Sequence, residues 1–214
     1  MSAYETDDQQ VEAIKKWWRE NGKALIFGAV LAVAGVGVGS YWFQYQSGRA
    51  ESASVEYGQL LSELGQDNRE AVLKRGEFLV NTYPKTGYAA LAALIVAKAR
   101  VEAGEMAAAR AQLQWVIDNA DLPELKNVAR LRLARIQLAE GNAQQALATL
   151  SGIEGNAFAA AAEEIRGDAY MAQGDTGAAR TAYQKALDVS EPGSDTRLLR
   201  MKLDNIGSPL KADA

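Results

Sequence analysis

The sequence predicts an all-α chain: a single N-terminal transmembrane helix, then an α-solenoid of about four helix pairs closed by a C-terminal capping helix. Three observations carry this reading. Residues 24–43 form an uncharged apolar run, the chain beyond them is rich in alanine, and glycines recur there at near-regular spacing.

The apolar run reads ALIFGAVLAVAGVGVGSYWF, and no charged residue occurs between Ala24 and Gly48. Twenty residues rising about 1.5 Å each cover about 30 Å, the thickness of a bilayer's hydrocarbon core. A buried helix of a soluble protein rarely runs so long without a charge. A cleaved signal peptide is a poorer reading, because the run starts after 23 residues and ends in Tyr41-Trp42-Phe43, bulky where a peptidase requires small side chains. Lys15, Lys16, Arg19 and Lys23 precede the span, whereas residues 44–63 carry only Arg49. Positive residues stay on the cytoplasmic side, so residues 1–23 are expected as a short cytoplasmic segment. Residues 44–50 then form a linker, 51–206 an exported repeat domain and 207–214 a tail. The short N-terminal segment leaves no room for a cytoplasmic domain. Within it, Val11, Ile14 and Trp18 recur at helical spacing, an amphipathic helix over 8–20 suited to the inner surface. Ala24, Gly28, Ala32, Gly35 and Gly39 share one helical stripe, a face on which another membrane helix can approach closely.

From Gly87 to Ala186, 29 of 100 residues are alanine, which favours helix over strand. Pro84, Pro123, Pro192 and Pro209 fall outside the apolar-periodic stretches. Gly65, Gly104, Gly141 and Gly174 separate paired stretches at intervals of 39, 37 and 33 residues, close to the 34-residue unit of tetratricopeptide repeats. The last unit fits that motif best, through Gly167, Tyr170, Gly174, Ala179, Tyr183 and Ala186, although Arg166 stands where leucine is usual. The third keeps Leu133, Ala134, Gly141 and Ala146 with Leu150 for the aromatic, and the second keeps Val96, Ala97, Gly104, Ala109 and Leu113. The first (Tyr57, Gly58, Gly65, Phe78, Pro84) is loose. Asp195 to Ile206, with Leu198, Leu199, Met201 and Leu203 on a helical stripe, supplies the capping helix that a solenoid needs.

Binding in such a solenoid lies on the concave face, lined by the first helix of each pair. The register puts Leu91, Leu94, Lys98 and Val101 there, then Val128, Leu131, Arg135 and Leu138, then Glu164, Asp168 and Met171. This is an apolar groove with cations at its centre and acids at one end, fit for an extended peptide or a partner helix. Several of the leucines belong to the core instead if the register is off by one, and Arg130 and Gln137 fall on nominal core positions.

Composition argues against catalysis. With no cysteine and no histidine, thiol chemistry, disulfides, a lipoprotein anchor and the commonest general base and metal ligand are all excluded. Ser208-x-x-Lys211 has nucleophile-pair spacing but sits in a polar tail. Glu163-Glu164 reads as a solvated face. Arg130, Arg132 and Arg135 are interleaved with apolar positions, and a net charge of −4 gives no nucleic-acid footprint. No cofactor or metal is expected.

A resemblance adds to this. Tyr4-Glu5, then Asp8-Gln9-Gln10-Val11-Glu12-Ala13-Ile14-Lys15-Lys16-Trp17-Trp18, Asn21-Gly22-Lys23-Ala24, Leu131 to Arg135, Arg166 to Ala169, Gly174-Asp175 with Gly177 to Arg180, and Met201 to Ile206 together resemble the YfgM family of ancillary SecYEG translocon subunits. The resemblance implies a single-span anchor, a periplasmic repeat domain at the SecYEG channel, a complex with the membrane-anchored chaperone PpiD, and a link to the Rcs envelope-stress response. It implies no catalytic residues. The reading is a non-enzymatic adaptor receiving a chaperone or an emerging polypeptide. The alternatives are an envelope assembly scaffold, or a regulator contacting an Rcs-type response regulator through Asp7 to Lys23.

Overall fold

Alanine-rich segments with few β-branched runs have little alternative to helix, and in the structure, a computed structural model, helices joined by short turns and loops are the regular elements among the described residues. The structure describes residues 4–207 and divides into two compact units, Met1–Arg49 and Ala50–Ala214.

The first unit is built from α1 (Tyr4–Gly65), whose last turns belong to the second. Every described side chain from Lys23 to Tyr45 is exposed. Among the described residues this is the one helix long and apolar enough to cross a membrane, and its most apolar 18-residue stretch has a mean hydropathy of 2.0. A soluble core helix of that composition would be covered, and none of its most apolar stretch is. The amphipathic stretch over 8–20 is helical and runs into the span without a break, and residues 44–50 are helical as part of α1.

In the second unit the end of α1 pairs with α2 (Arg69–Thr82), α3 (Gly87–Glu102) with α4 (Met106–Asn119), α5 (Pro123–Ala139) with α6 (Ala143–Leu150), and α7 (Ala159–Ala172) with α8 (Thr176–Asp188). The last helix is α9 (Arg197–Gly207). Pro123 opens α5, where its missing N–H costs nothing. Asn68, Thr86 and Asp175 cap their helices by accepting from the N–H groups of Ala71, Ala89 and Ala178.

The repeat is written in the backbone. At each turn within a pair, one N–H donates to the carbonyl three residues back and the next N–H to the carbonyl five residues back. The pairs are Asp67→Leu64 with Asn68→Glu63, Gly104→Val101 with Glu105→Arg100, Gly141→Leu138 with Asn142→Gln137, and Gly174→Met171 with Asp175→Tyr170. The first residue of each pair has φ between 55° and 81°, the left-handed region. Glycine adopts it freely and aspartate tolerates it. The first turn therefore pivots on Asp67 and not, as expected, on Gly65, which ends α1.

Packing follows the same register. Nine residues past each later turn stands a buried large side chain, Leu113, Leu150 or Tyr183, and seven before it a small one, Ala97, Ala134 or Gly167. In the first unit the bulk is exchanged: fully buried Leu60 takes the small position and Gly76 the large one. Val96 of α3 fills the space over Gly76, where a Cβ would meet its Cγ2 at 2.2 Å. The first unit is thus a repeat unit with inverted packing. In α9, Leu199 is buried and Leu203 and Ile206 pack beside it, while Leu198 and Met201 of the expected stripe are exposed.

The first helices pack side by side, α3 on α5 and α5 on α7, and the second helices make no comparable contact with one another. In a solenoid of such helix pairs the first helices line the concave side.

Candidate functional site: the concave face

Side chains on this face come from α3, α5 and α7 at helical spacing, so each helix contributes a short row. The structure sorts the expected groove residues into three groups. Leu94 and Leu131 are buried, 6% and 7% exposed, and do not line the groove. They belong to buried cores, Leu94 to the one shared by α2, α3, α4 and α5 and Leu131 to the one shared by α5, α6 and α7. Leu91 is half-buried, and Val128 packs against the first of these cores. Lys98, Val101, Arg135, Leu138, Glu164 and Asp168 line two cavities, and Met171 is exposed at the end of α7.

One cavity, about 310 Å³, is bounded by Ala97, Lys98, Val101, Leu113, Arg132, Arg135 and Ile136. Its floor is apolar and its rim carries three cations. Arg132 lies across the gap between helices, its Nη1 donating to the Leu94 carbonyl at 3.0 Å. Burial, and then the neighbouring Arg135 guanidinium, push Arg132 below the usual guanidinium value. The second cavity, about 660 Å³, shares Arg135 and adds Leu138, Glu164, Asp168, Leu198 and Lys202.

The acid end of the groove is not open. Lys202 Nζ of α9 donates to Glu164 Oε1 at 2.7 Å and to Asp168 Oδ1 at 2.8 Å. Burial opposes its charge, but the hydrogen bonds and charges of Asp168 and Glu164 together outweigh it and hold Lys202 above the ordinary ammonium value. The Tyr183 hydroxyl donates to Asp168 at 2.7 Å. Burial first, then that bond and the two carboxylate charges, raise the Tyr183 phenol strongly. Lys202 also stands 5.6 Å from the Tyr183 ring centre. The capping helix is thus fastened into the fourth unit's share of the groove.

One side-chain reading changes. Glu163 is 5% exposed, bracketed by Arg166 and Lys185 at 2.6 Å each, so it is a buried ionic centre and not a solvated face. Arg166 replaces the usual leucine because it also donates to the Leu150 carbonyl at the end of α6. Arg130 and Gln137 are indeed turned from the groove: Arg130 lies against Gly152, and Gln137 accepts from Thr149 at 2.9 Å. Sequence reasoning missed Arg132, Ile136 and Lys202. The i, i+3 spacing of Arg132 and Arg135 was a usable signal; Lys202, 34 residues from Asp168, had none. Ser208 and Lys211 lie outside the described residues. Among the described residues no cluster of carboxylates is placed to hold a metal ion.

A protein family described as tetratricopeptide repeat-like domain matches residues 15–208. The chain is 34% identical over 206 residues to the ancillary SecYEG translocon subunit of Escherichia coli K12, covering 96% of this chain and 99% of that one. The chain belongs to that family. A relative of the same name from Haemophilus influenzae is 31% identical over 202 residues, covering 94% of this chain and 97% of that one, and one from Neisseria gonorrhoeae is 30% identical over 215 residues, covering 96% and 100%. Among solved structures, the MamA RS-1 ArsTM double mutant superposes with a TM-score of 0.59 over 72% of this chain and 83% of that one, at 18% identity. That likeness concerns the fold alone.

Proposed function

We propose that this chain is a non-enzymatic adaptor of the SecYEG translocon, anchored by one helix in the inner membrane. Its repeat domain stands in the periplasm and receives a partner on the concave face. A PpiD-like membrane-anchored chaperone and emerging polypeptides are the partners this reading names. The observation that carries it is the pairing of near full-length likeness to translocon subunits with a concave face whose cavities are lined by apolar and cationic side chains. The four cations before the span against Arg49 alone after it support a cytoplasmic N-terminus. The exposed stripe of Ala24, Gly28, Ala32, Gly35 and Gly39 supports close packing of another membrane helix, since nothing lies within 4 Å of a Cβ placed at any of its three glycines.

Affinity purification of the tagged full chain from its own membranes in mild detergent tests this. Translocon subunits co-purify if the reading holds; their absence, with unrelated assemblies in their place, sinks it. Orientation is read separately. With no native cysteine, Glu12→Cys and Gln184→Cys are unique labels, and a membrane-impermeant maleimide reaches only Gln184→Cys from the periplasmic side.

A further inference from the structure

We propose that the cavity between α3 and α5 receives an acidic, apolar segment of a partner protein. This rests on the reading of the concave face as the binding surface and adds the chemistry of what binds.

Charge complementarity is the first argument. Lys98, Arg132 and Arg135 meet at one rim. Among the described residues no carboxylate lies within ion-pair distance of either guanidinium, and Lys98 has only Glu102, at 3.6 Å with both side chains well exposed. Such a pair holds its partners weakly. Elsewhere on the same face the carboxylates are engaged internally, since Lys202 bridges Glu164 and Asp168. The acids that a basic ligand would seek are taken, whereas among the described residues the two guanidinium groups of the rim have no carboxylate partner. The contrast is local, because the residues after the span carry a net charge of −3. A positive rim in a negative domain steers an acidic segment to this place and away from the rest of the surface.

The floor supplies the second argument. Val101, Leu113 and Ile136 offer no hydrogen-bond partner, so a phosphate or a purely polar anion would leave them wet, whereas apolar side chains alternating with carboxylates satisfy floor and rim together. A carboxylate between the rows also relieves the repulsion of the two guanidinium groups and can be held through two N–H bonds of one of them.

The test uses the full chain in nanodiscs and fluorescence anisotropy, with signal from empty discs subtracted. One probe is a fluorescein-labelled peptide of leucine, alanine and glutamate; its twin carries glutamine for every glutamate. The acidic probe is expected to bind at least about tenfold tighter, with a preference that falls as salt rises. Arg135 is exposed and makes no hydrogen bond or ion pair with another side chain among the described residues, so Arg135→Glu and Arg135→Gln keep the native melting curve. Both abolish the preference, and Val101→Asp weakens both probes. Equal binding of the twins, unchanged in Arg135→Glu, overturns the acidic chemistry; if Val101→Asp still weakens both, the groove stands. Binding of neither probe overturns the groove reading itself.

Discussion

Gly167→Ala adds one methyl group at the closest crossing of the fourth repeat. Its Cβ would lie 2.2 Å from Tyr183 Cε1, 2.4 Å from Cδ1 and 2.8 Å from Cζ, far inside van der Waals contact. The ring has little room to yield. Tyr183 is 3% exposed, and its hydroxyl is tied to Asp168, which Lys202 also holds. Overpacking of this kind costs about 1–3 kcal/mol, and overlap with several ring atoms puts it at the upper end. Alanine's better helix propensity returns up to about 1 kcal/mol. A net loss of about 2 kcal/mol lowers the melting temperature by about 4–8 °C for a chain of this size. Circular dichroism melts of the full chain in detergent measure it. The decisive step is the pair. Gly167→Ala with Tyr183→Leu recreates the Ala97–Leu113 and Ala134–Leu150 arrangement of the two preceding units. The double variant is therefore less destabilised than the two singles summed, by about 1 kcal/mol or more. A wild-type melt for Gly167→Ala, or strict additivity, would refute the packing argument.

Three further outcomes follow from the same structure. Lys202 and Tyr183 both have folded-state pKa values raised above their unfolded ones, about 10.4 and 10. Their contribution is complete below pH about 10 and is lost as pH rises through the raised values. Melts should therefore fall in the alkaline range, and Lys202→Met should lose about 1–2 kcal/mol at neutral pH and flatten that fall; an unchanged alkaline slope contradicts it. Leu60→Ala leaves a void in the inverted first unit and costs about 2–5 kcal/mol by thermal or denaturant melts, and a wild-type melt contradicts the packing. Gly28→Leu with Gly35→Leu blocks the small-residue face of the span and should strip membrane partners from the purified complex while leaving the repeat domain's melt unchanged; full retention of those partners rules the face out.

Helix content, the single apolar span and the repeat were legible because each is local. Alanine frequency, an uncharged stretch and turn glycines need no knowledge of distant contacts. The first unit was legible only in outline. Its left-handed position is filled by Asp67, which a search for glycine passes over, and Leu60 with Gly76 inverts the motif's small and large sites. The groove was half legible. Lys98, Val101, Arg135 and Leu138 were placed on it by periodicity. Periodicity cannot tell a helix's open face from a flank that the next helix covers, and so Leu94 and Leu131 were read outward. Glu163 was misread for the same reason, since its cations come from α7 and α8 together. The hold of Lys202 on Glu164 and Asp168 spans 38 and 34 residues and leaves no trace in local pattern.

The central claim is that a membrane-anchored repeat domain meets its partner on the concave face. Photocrosslinking amino acids at Val101 and Leu138 on that face, and at Gln184 on the convex α8, test it in cells carrying the full chain in its native membrane. The account predicts crosslinks to a translocon subunit, a periplasmic chaperone or a translocating chain from Val101 and Leu138, and none of these from Gln184. Crosslinks only to unrelated assemblies, or the same products from Gln184 as from the groove, would contradict it.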